Sequence, residues 1–320
     1  MEKRKIIIDC DPGVDDALAL ALTAAWKDKL EVLAVTTVSG NQTIEKVTTN
    51  AKNILEFVHA DIPLAKGQDR PLVKPLNTAP EAHGDSGMDG PYFNGTDYPV
   101  ASENAVDFMY HKIMDSEEKI TIVALAPLTN IALLLKAYPQ VKEKIECISM
   151  MGGSHGNCTE LAEFNIYVDP EAAHIVFHSG VPIVMAGLDV TEQAAITLDE
   201  IKALKNKGKV SHLTYELLRF YNETGKQFGF ADSPIHDLCA VEYLLAPEIF
   251  SGRKCYVDIA TDDGISRGQT LADLRKVPKH DANVLVLEQV DRERFVEILV
   301  KGLERLDEKC KDNGRQASEM

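Results

Sequence analysis

Asp9-Cys10-Asp11-Pro12-Gly13-Val14-Asp15-Asp16 places four carboxylates within eight residues. Carboxylates this crowded repel one another unless a cation or strong hydrogen-bond donors stand between them. A helix N-terminus offsets part of the repulsion, about 0.3–1 kcal/mol per nearby acid. That holds one acid as a cap but does not account for four. A hard cation with oxygen ligands, calcium or magnesium, is the natural partner. The spacing is not that of an EF-hand loop. Counting from Asp9, positions six and twelve hold Val14 and Leu20, where glycine and glutamate are required. No G-x-x-x-x-G-K-[ST] phosphate loop occurs in the chain.

A second polar cluster reads Met151-Gly152-Gly153-Ser154-His155-Gly156-Asn157, then Glu163-Phe164-Asn165 and Asp169-Pro170-Glu171. Asn and Glu alternating on a loop make a donor and acceptor array suited to hydroxyl groups. The same residue types also satisfy their own turns, and Asp169 before Pro170 reads as a helix cap. The third cluster, Ser233-Pro234-Ile235-His236-Asp237, opens an apolar helix through Leu238, Val241 and Leu245. Alone, His236 reads as a packed or capping histidine, and Asp237 as a favourable charge at a helix start. His174 and His178 stand at i, i+4, a metal-ligand spacing. The H-E-x-x-H pattern is not met, so they read as a solvated or packed pair. Cys10 reads as a small buried residue.

The elements that must position these clusters follow from periodicity. Apolar runs at 6–8, 30–38, 120–125, 145–151 and 181–186 read as buried strands. Helical patterns at 17–26, 44–58, 128–136 and 171–178 alternate with them. This rhythm predicts an α/β fold: an open, mostly parallel, Rossmann-like sheet with helices on both faces. Ligands in such sheets bind beyond the carboxyl ends of the strands, where the first two clusters lie. Residues 60–99 hold six prolines and the run His83-Gly84-Asp85-Ser86-Gly87-Met88-Asp89-Gly90. A long irregular segment inside a domain is often a functional loop, here a lid over about 76–95. Residues 198–230 read as a helical cap with a break near Gly225 and Gly229, and the stretch from 309 to 320 as a frayed polar tail. We expect a single domain over 1–320.

Bulk properties bound the function. The 320 residues carry 45% hydrophobic and 26% charged side chains and a net charge of -16. No Lys/Arg cluster offers a face to nucleic acid. No stretch approaches the roughly 18 apolar residues of a membrane span. The apolar run after Met1-Glu2-Lys3-Arg4-Lys5 is too short for a signal peptide. Six cysteines, Cys10, Cys147, Cys158, Cys239, Cys255 and Cys310, are scattered without a C-x-x-C pair and read as reduced thiols in a cytoplasmic protein.

Together, Asp11-Pro12-Gly13-Val14-Asp15-Asp16, the segment from Asn157 to Asn165, and His236-Asp237 resemble the inosine-uridine preferring nucleoside hydrolases in order and spacing. The resemblance covers nearly the whole chain, from Lys5 to about Leu306. It implies one calcium per subunit, bound by Asp11, Asp15, Asp16, Asp237 and the backbone carbonyl of Leu125. It implies that this calcium holds the attacking water and the ribose 2′- and 3′-hydroxyls, with Asp11 as general base. Asp15, Asn41, Asn157, Glu163, Asn165 and Asp237 are then substrate-binding. His236 serves the leaving base, and His83 closes over it from the lid loop. Asp9 matches no family ligand and is expected to support the site from behind. The family's purine-specific branch uses tryptophans near the base, and the one tryptophan here, Trp26, lies in the first helix. The resemblance implies uridine, cytidine or inosine as substrates and a homodimer or homotetramer. Two other readings stay open at this point. One is a magnesium-dependent phosphatase of the haloacid-dehalogenase type, whose D-x-D is superficially matched by Asp9 and Asp11. The other is a nucleoside- or ribose-binding protein without turnover.

Overall fold

Ile6, Ile7 and Ile8 are fully buried, and their alternation sends Ile6 and Ile8 to one core and Ile7 to another. A strand buried on both faces is the centre of a parallel sheet, not its edge. The computed structural model describes residues 3–319, with side chains through Lys311. In chain order its elements begin β1 (Arg4–Cys10), α1 (Val14–Ala25), β2 (Leu30–Thr37), α2 (Ile44–Phe57), β3 (Leu64–Lys66), α3 (Pro80–His83) and β4 (Val100–Ser102). Then come α4 (Ala105–Asp115), β5 (Ile120–Ala124), α5 (Thr129–Ala137), β6 (Ile145–Met151), α6 (Phe164–Val168), α7 (Pro170–Phe177), β7 (Ile183–Ala186) and α8 (Leu188–Thr191). The chain continues through β8 (Ala195–Ile196), α9 (Leu198–Leu204), α10 (Lys209–Gly225), β9 (Ser233–Pro234) and α11 (Leu238–Leu245). It ends with β10 (Phe250–Cys255), β11 (Val257–Ile259), β12 (Thr270–Ala272), β13 (Val284–Val290) and α12 (Arg292–Glu319).

Nine strands form the main sheet in the order β10-β13-β7-β6-β5-β1-β2-β3-β4. All neighbours pair in parallel except β10, which runs antiparallel to β13 at one edge. This is the α/β architecture expected from the sequence. From β1 the chain winds outward through β2, β3 and β4, then returns to the other side of β1 with β5. That reversal opens a crevice at the carboxyl ends of β1 and β5, the position at which such sheets bind ligands. Helices α1, α10, α11 and α12 cover one face with side chains such as Leu18, Leu217, Val241 and Leu299. Helices α4, α5 and α7 cover the other with Met109, Ile131 and Val176.

The expected strands and helices differ from the observed ones by a few residues at their ends, with one larger shift. The first helix starts at Val14, not residue 17, because Asp15 and Asp16 form its acidic first turn. The helical cap resolves into α9, which starts on a Thr197–Glu200 capping box, and α10. The stretch from Lys309, read as a frayed tail, continues α12 as helix to Glu319; Met320 lies outside the described residues. The strands β10 to β13 were not read from the sequence at all.

Candidate active site

Strand β1 ends at Cys10, and the turn that follows brings its acids to the crevice floor. Asp11 and Asp16 are fully buried, and Asp15 is 5% exposed. Backbone amides organise them. The Asp11 and Gly13 N–H groups donate to Asp16 Oδ1 and Oδ2 at 3.2 and 3.0 Å. The Asn41 N–H donates to Asp11 Oδ2 at 2.6 Å, and Asn41 Nδ2 to Asp16 Oδ2 at 3.3 Å. The close approach of Asn41 requires the glycine before it. A Cβ on Gly40 would lie 2.0 Å from Asp11 Oδ2 and 2.7 Å from Pro127. Asp237, just ahead of α11, completes the cluster. One oxygen each of Asp15, Asp16 and Asp237 lies within 4.8 Å of the others.

Among the described residues no lysine or arginine is paired with these acids, and the electrostatics follow. Burial first, then the Asp16 carboxylate, pushes the Asp11 carboxyl well above the usual range. Burial and Asp15 push Asp16 up to about 7, and the same two causes push Asp237 well up. Asp11 Oδ1 is buried without a hydrogen-bond partner. A buried, unpartnered carboxylate oxygen beside three converging carboxylates is the donor set of a hard divalent cation. The residues therefore fit such an ion. Asp9 stands behind them, its Oδ1 accepting from Thr36 Oγ1 at 2.6 Å and Asn130 Nδ2 at 2.8 Å. Burial raises it to about 7.

Above this floor opens a cleft of about 470 Å³. Its lining includes Asp15, Asn41, His83, Leu125, Asn157, Glu163, Asn165, His236 and Asp237. Every residue expected to touch substrate thus reaches one cavity, with Asp11 and Asp16 beneath it. Asn165 donates from Nδ2 to the Leu125 carbonyl at 3.1 Å. Glu163 caps α6, accepting from the Asn165, Ile166 and Gly153 N–H groups at 3.0, 3.3 and 2.9 Å. Asn157 Oδ1 accepts from the Phe164 N–H at 3.0 Å. Asp169, read as a cap, does accept from the Ala172 N–H at 3.0 Å, and also from Leu72 N–H and Thr129 Oγ1.

The two cleft histidines are fixed from opposite sides. His83 accepts the Val14 N–H at its Nδ1, 3.2 Å, and stacks on Tyr221 with ring centroids 5.6 Å apart. The segment around His83 is tied to α10 by Thr224 Oγ1 on the Ala82 carbonyl at 2.9 Å. His236 Nδ1 lies 2.7 Å from Thr191 Oγ1, and Phe230 meets its ring edge-on. Burial lowers the pKa of both imidazoles. Thr191 and Tyr221 were missed in the sequence, because threonine and tyrosine in helices carry no motif and only the fold brings them to the histidines. His174, on α7, and His178, its C-cap residue, are partly exposed, as expected of a solvated pair. Asp258 of β11 faces both.

The profile of the family described as inosine-uridine preferring nucleoside hydrolase matches residues 6–297. A pyrimidine-specific ribonucleoside hydrolase RihA from Shewanella sp. (strain ANA-3) is 44% identical over 308 residues, covering 94% of this chain and 96% of the relative. A relative of the same name from Salmonella paratyphi B is 43% identical, covering 93% and 98%. Among solved structures, a purine-preferring ribonucleoside hydrolase from Gardnerella vaginalis superposes with a TM-score of 0.88 at 28% identity, covering 95% of this chain and 99% of that one. A plant nucleoside hydrolase superposes with a TM-score of 0.88 at 32% identity, covering 96% and 99%. The chain belongs to the inosine-uridine preferring nucleoside hydrolase family. It is an enzyme of the nucleoside hydrolase class, acting on small-molecule ribonucleosides.

Proposed function

We propose that this chain hydrolyses the N-glycosidic bond of pyrimidine ribonucleosides, uridine and cytidine, with inosine a poorer substrate. The preference follows the names of the relatives with 43–44% identity. The chemistry is carried by one observation: carboxylates converge at the floor of a cleft whose walls bear hydroxyl-binding groups. We assign calcium, one per subunit, to Asp11, Asp15, Asp16, Asp237 and the Leu125 carbonyl. When bound, it lowers the pKa of a water and engages ribose hydroxyls.

The chain's own groups do the rest. Asp11 Oδ2 is anchored by the Asn41 N–H, and Oδ1 has no partner, so one oxygen is held and the other takes the water's proton. Bond cleavage develops positive charge on the ribose, as in glycoside hydrolysis generally, and the surrounding carboxylates stabilise it. Asn41, Asn157, Glu163 and Asn165 grip the sugar. Burial lowers the His236 pKa, which favours the neutral ring. If the Thr191 hydroxyl donates to Nδ1, the ring carries its proton on Nε2, the atom that hydrogen-bonds the departing base. His83 and Tyr221 form the opposite wall of the base site.

The described residues include no helix long and apolar enough to cross a membrane. All six cysteines are unpaired, which supports the cytoplasm as the enzyme's compartment. Assembly as a homodimer or homotetramer belongs to the same reading, and light scattering measures it. Incubation with uridine, cytidine and inosine, with free ribose assayed as reducing sugar, tests the function. Ribose release, fastest from the pyrimidine nucleosides, is expected. Binding without release, or inosine turned over faster than uridine, overturns the proposal.

A further inference from the structure

On the far side of α7 from its N-terminal cap, His174 and His178 lie on one face, one helical turn apart, with ring centroids separated by 4.2 Å. Asp258, from strand β11, meets both with a single oxygen. Its Oδ1 lies 3.0 Å from His174 Nδ1 and 3.6 Å from His178 Nε2. The ligand atoms of all three side chains fall within 4.8 Å of one another. Two ligands on a tetrahedral ion with bonds of about 2.05 Å sit roughly 3.3 Å apart, and the two observed spacings bracket that value.

The second shell supports the same conclusion. His178 Nδ1 lies 2.9 Å from the His174 carbonyl, which only accepts, so Nδ1 carries the proton. In the neutral ring this leaves a lone pair on Nε2, 3.6 Å from Asp258 Oδ1. With no ion present the Tyr256 hydroxyl can donate to that lone pair; a divalent ion would take it up together with the Asp258 oxygen. A ring proton donated to a backbone carbonyl is also how proteins orient metal-binding imidazoles. Tyr256 Oη stands 3.1 Å from the same Nε2. The cluster is partly open to solvent, with His174, His178 and Asp258 side chains 43%, 36% and 35% exposed, so water can complete the coordination.

We propose that His174, His178 and Asp258 form a second metal site, distinct from the acidic cluster, for a divalent ion of the zinc class. Two imidazoles and a carboxylate suit zinc, nickel or copper, whereas calcium and magnesium prefer oxygen alone. The ion ties the end of α7 to the β11–β12 hairpin, two elements that Arg267 of the hairpin loop and Glu171 of α7 already join at 2.8 Å.

The test is calorimetric titration of zinc chloride into the full chain, held in excess calcium so that the acidic cluster is filled. The wild type is expected to take up one zinc that calcium does not displace, with a rise in melting temperature. His178→Ala and Asp258→Asn should each weaken that uptake by at least the ~10–100-fold that loss of an outer-shell partner costs. Both variants should melt like the wild type when zinc is absent, since the side chains are at the surface. No zinc uptake by the wild type overturns the site. So does uptake of undiminished affinity by both variants, which would assign the metal to thiols or to the acidic cluster instead.

Discussion

Stripping the cation from the acidic cluster should make the protein lose stability as pH rises. Two carboxylate charges 4.8 Å apart repel by about 3.5 kcal/mol at an effective permittivity of about 20. Asp15, Asp16 and Asp237 make three such pairs, on the order of 10 kcal/mol if all are ionised. Without a cation the folded protein escapes by holding protons. Asp16, raised from 3.8 to about 7 by burial and by Asp15, represents roughly 4 kcal/mol of that escape. The sign follows from proton counts. Between about pH 4 and pH 7 the unfolded chain has released this proton while the folded one retains it. Stability therefore falls with rising pH across that window and levels off once Asp16 ionises. With calcium bound the ligand carboxylates stay ionised in the folded state, so the part of the slope due to Asp16 should vanish, while buried acids outside the cluster such as Asp9 keep theirs. Melting curves from pH 5 to pH 8, with calcium and after exhaustive chelation, read this directly. The two forms should converge near pH 5 and separate by on the order of 10 °C near pH 8. Calorimetry in buffers of different ionisation enthalpy should show proton release on calcium binding near pH 6. Chelated and calcium-loaded protein melting together at every pH would refute the reasoning.

Asp11→Asn should lower kcat on uridine by at least ~10²-fold; metal content is measured alongside, and near-normal turnover by a metal-replete variant would place the base elsewhere. If Asp15, Glu163 and Asn165 bind the sugar hydroxyls, 2′-deoxyuridine should fall below uridine in kcat/KM by ~10⁴-fold, and comparable values would remove these residues from ribose recognition. His236→Ala should cost ~10²–10⁴-fold on uridine but little on p-nitrophenyl riboside, whose phenolate leaves unaided. Equal losses on both substrates would make His236 a support for the fold or for Asp237. Thr191→Val should show the same substrate pattern more weakly, roughly fivefold, corresponding to one hydrogen bond of about 1 kcal/mol.

What the sequence disclosed followed the physics of each element. Strands buried on both faces, such as the Ile6-Ile7-Ile8 run, announce themselves by unbroken apolar character. The turn after β1 is legible because carboxylates so crowded demand an explanation. Strand β10 was invisible because it is an antiparallel edge with Ser251, Gly252, Arg253 and Lys254 all exposed. Strands β8 and β9 have two residues each, too few for any period to register. Partnerships across the fold were equally hidden. Asp258 lies 84 positions from His174, and nothing local to either marks the pair. Glu242, in the middle of α11, carries no signal in the sequence, yet it is fully buried with both oxygens unpartnered, and burial raises its pKa well above the ordinary range.

The four acids at the floor reach it from two distant stretches, Asp11, Asp15 and Asp16 near the start and Asp237 three-quarters of the way along. A chain emerging from synthesis therefore carries its most crowded charges long before their last companion exists. Until α11 docks beside β6, the turn after β1 has three of its four carboxylates and no reason to be sealed from water. Native contacts of such long sequence separation form late and slowly. The acidic turn works against premature closure, since burying it unpaired is costly. Under the proposed metal assignment, tight retention of the ion is thus a property of the finished sheet alone, and a truncated or half-folded chain should not display it.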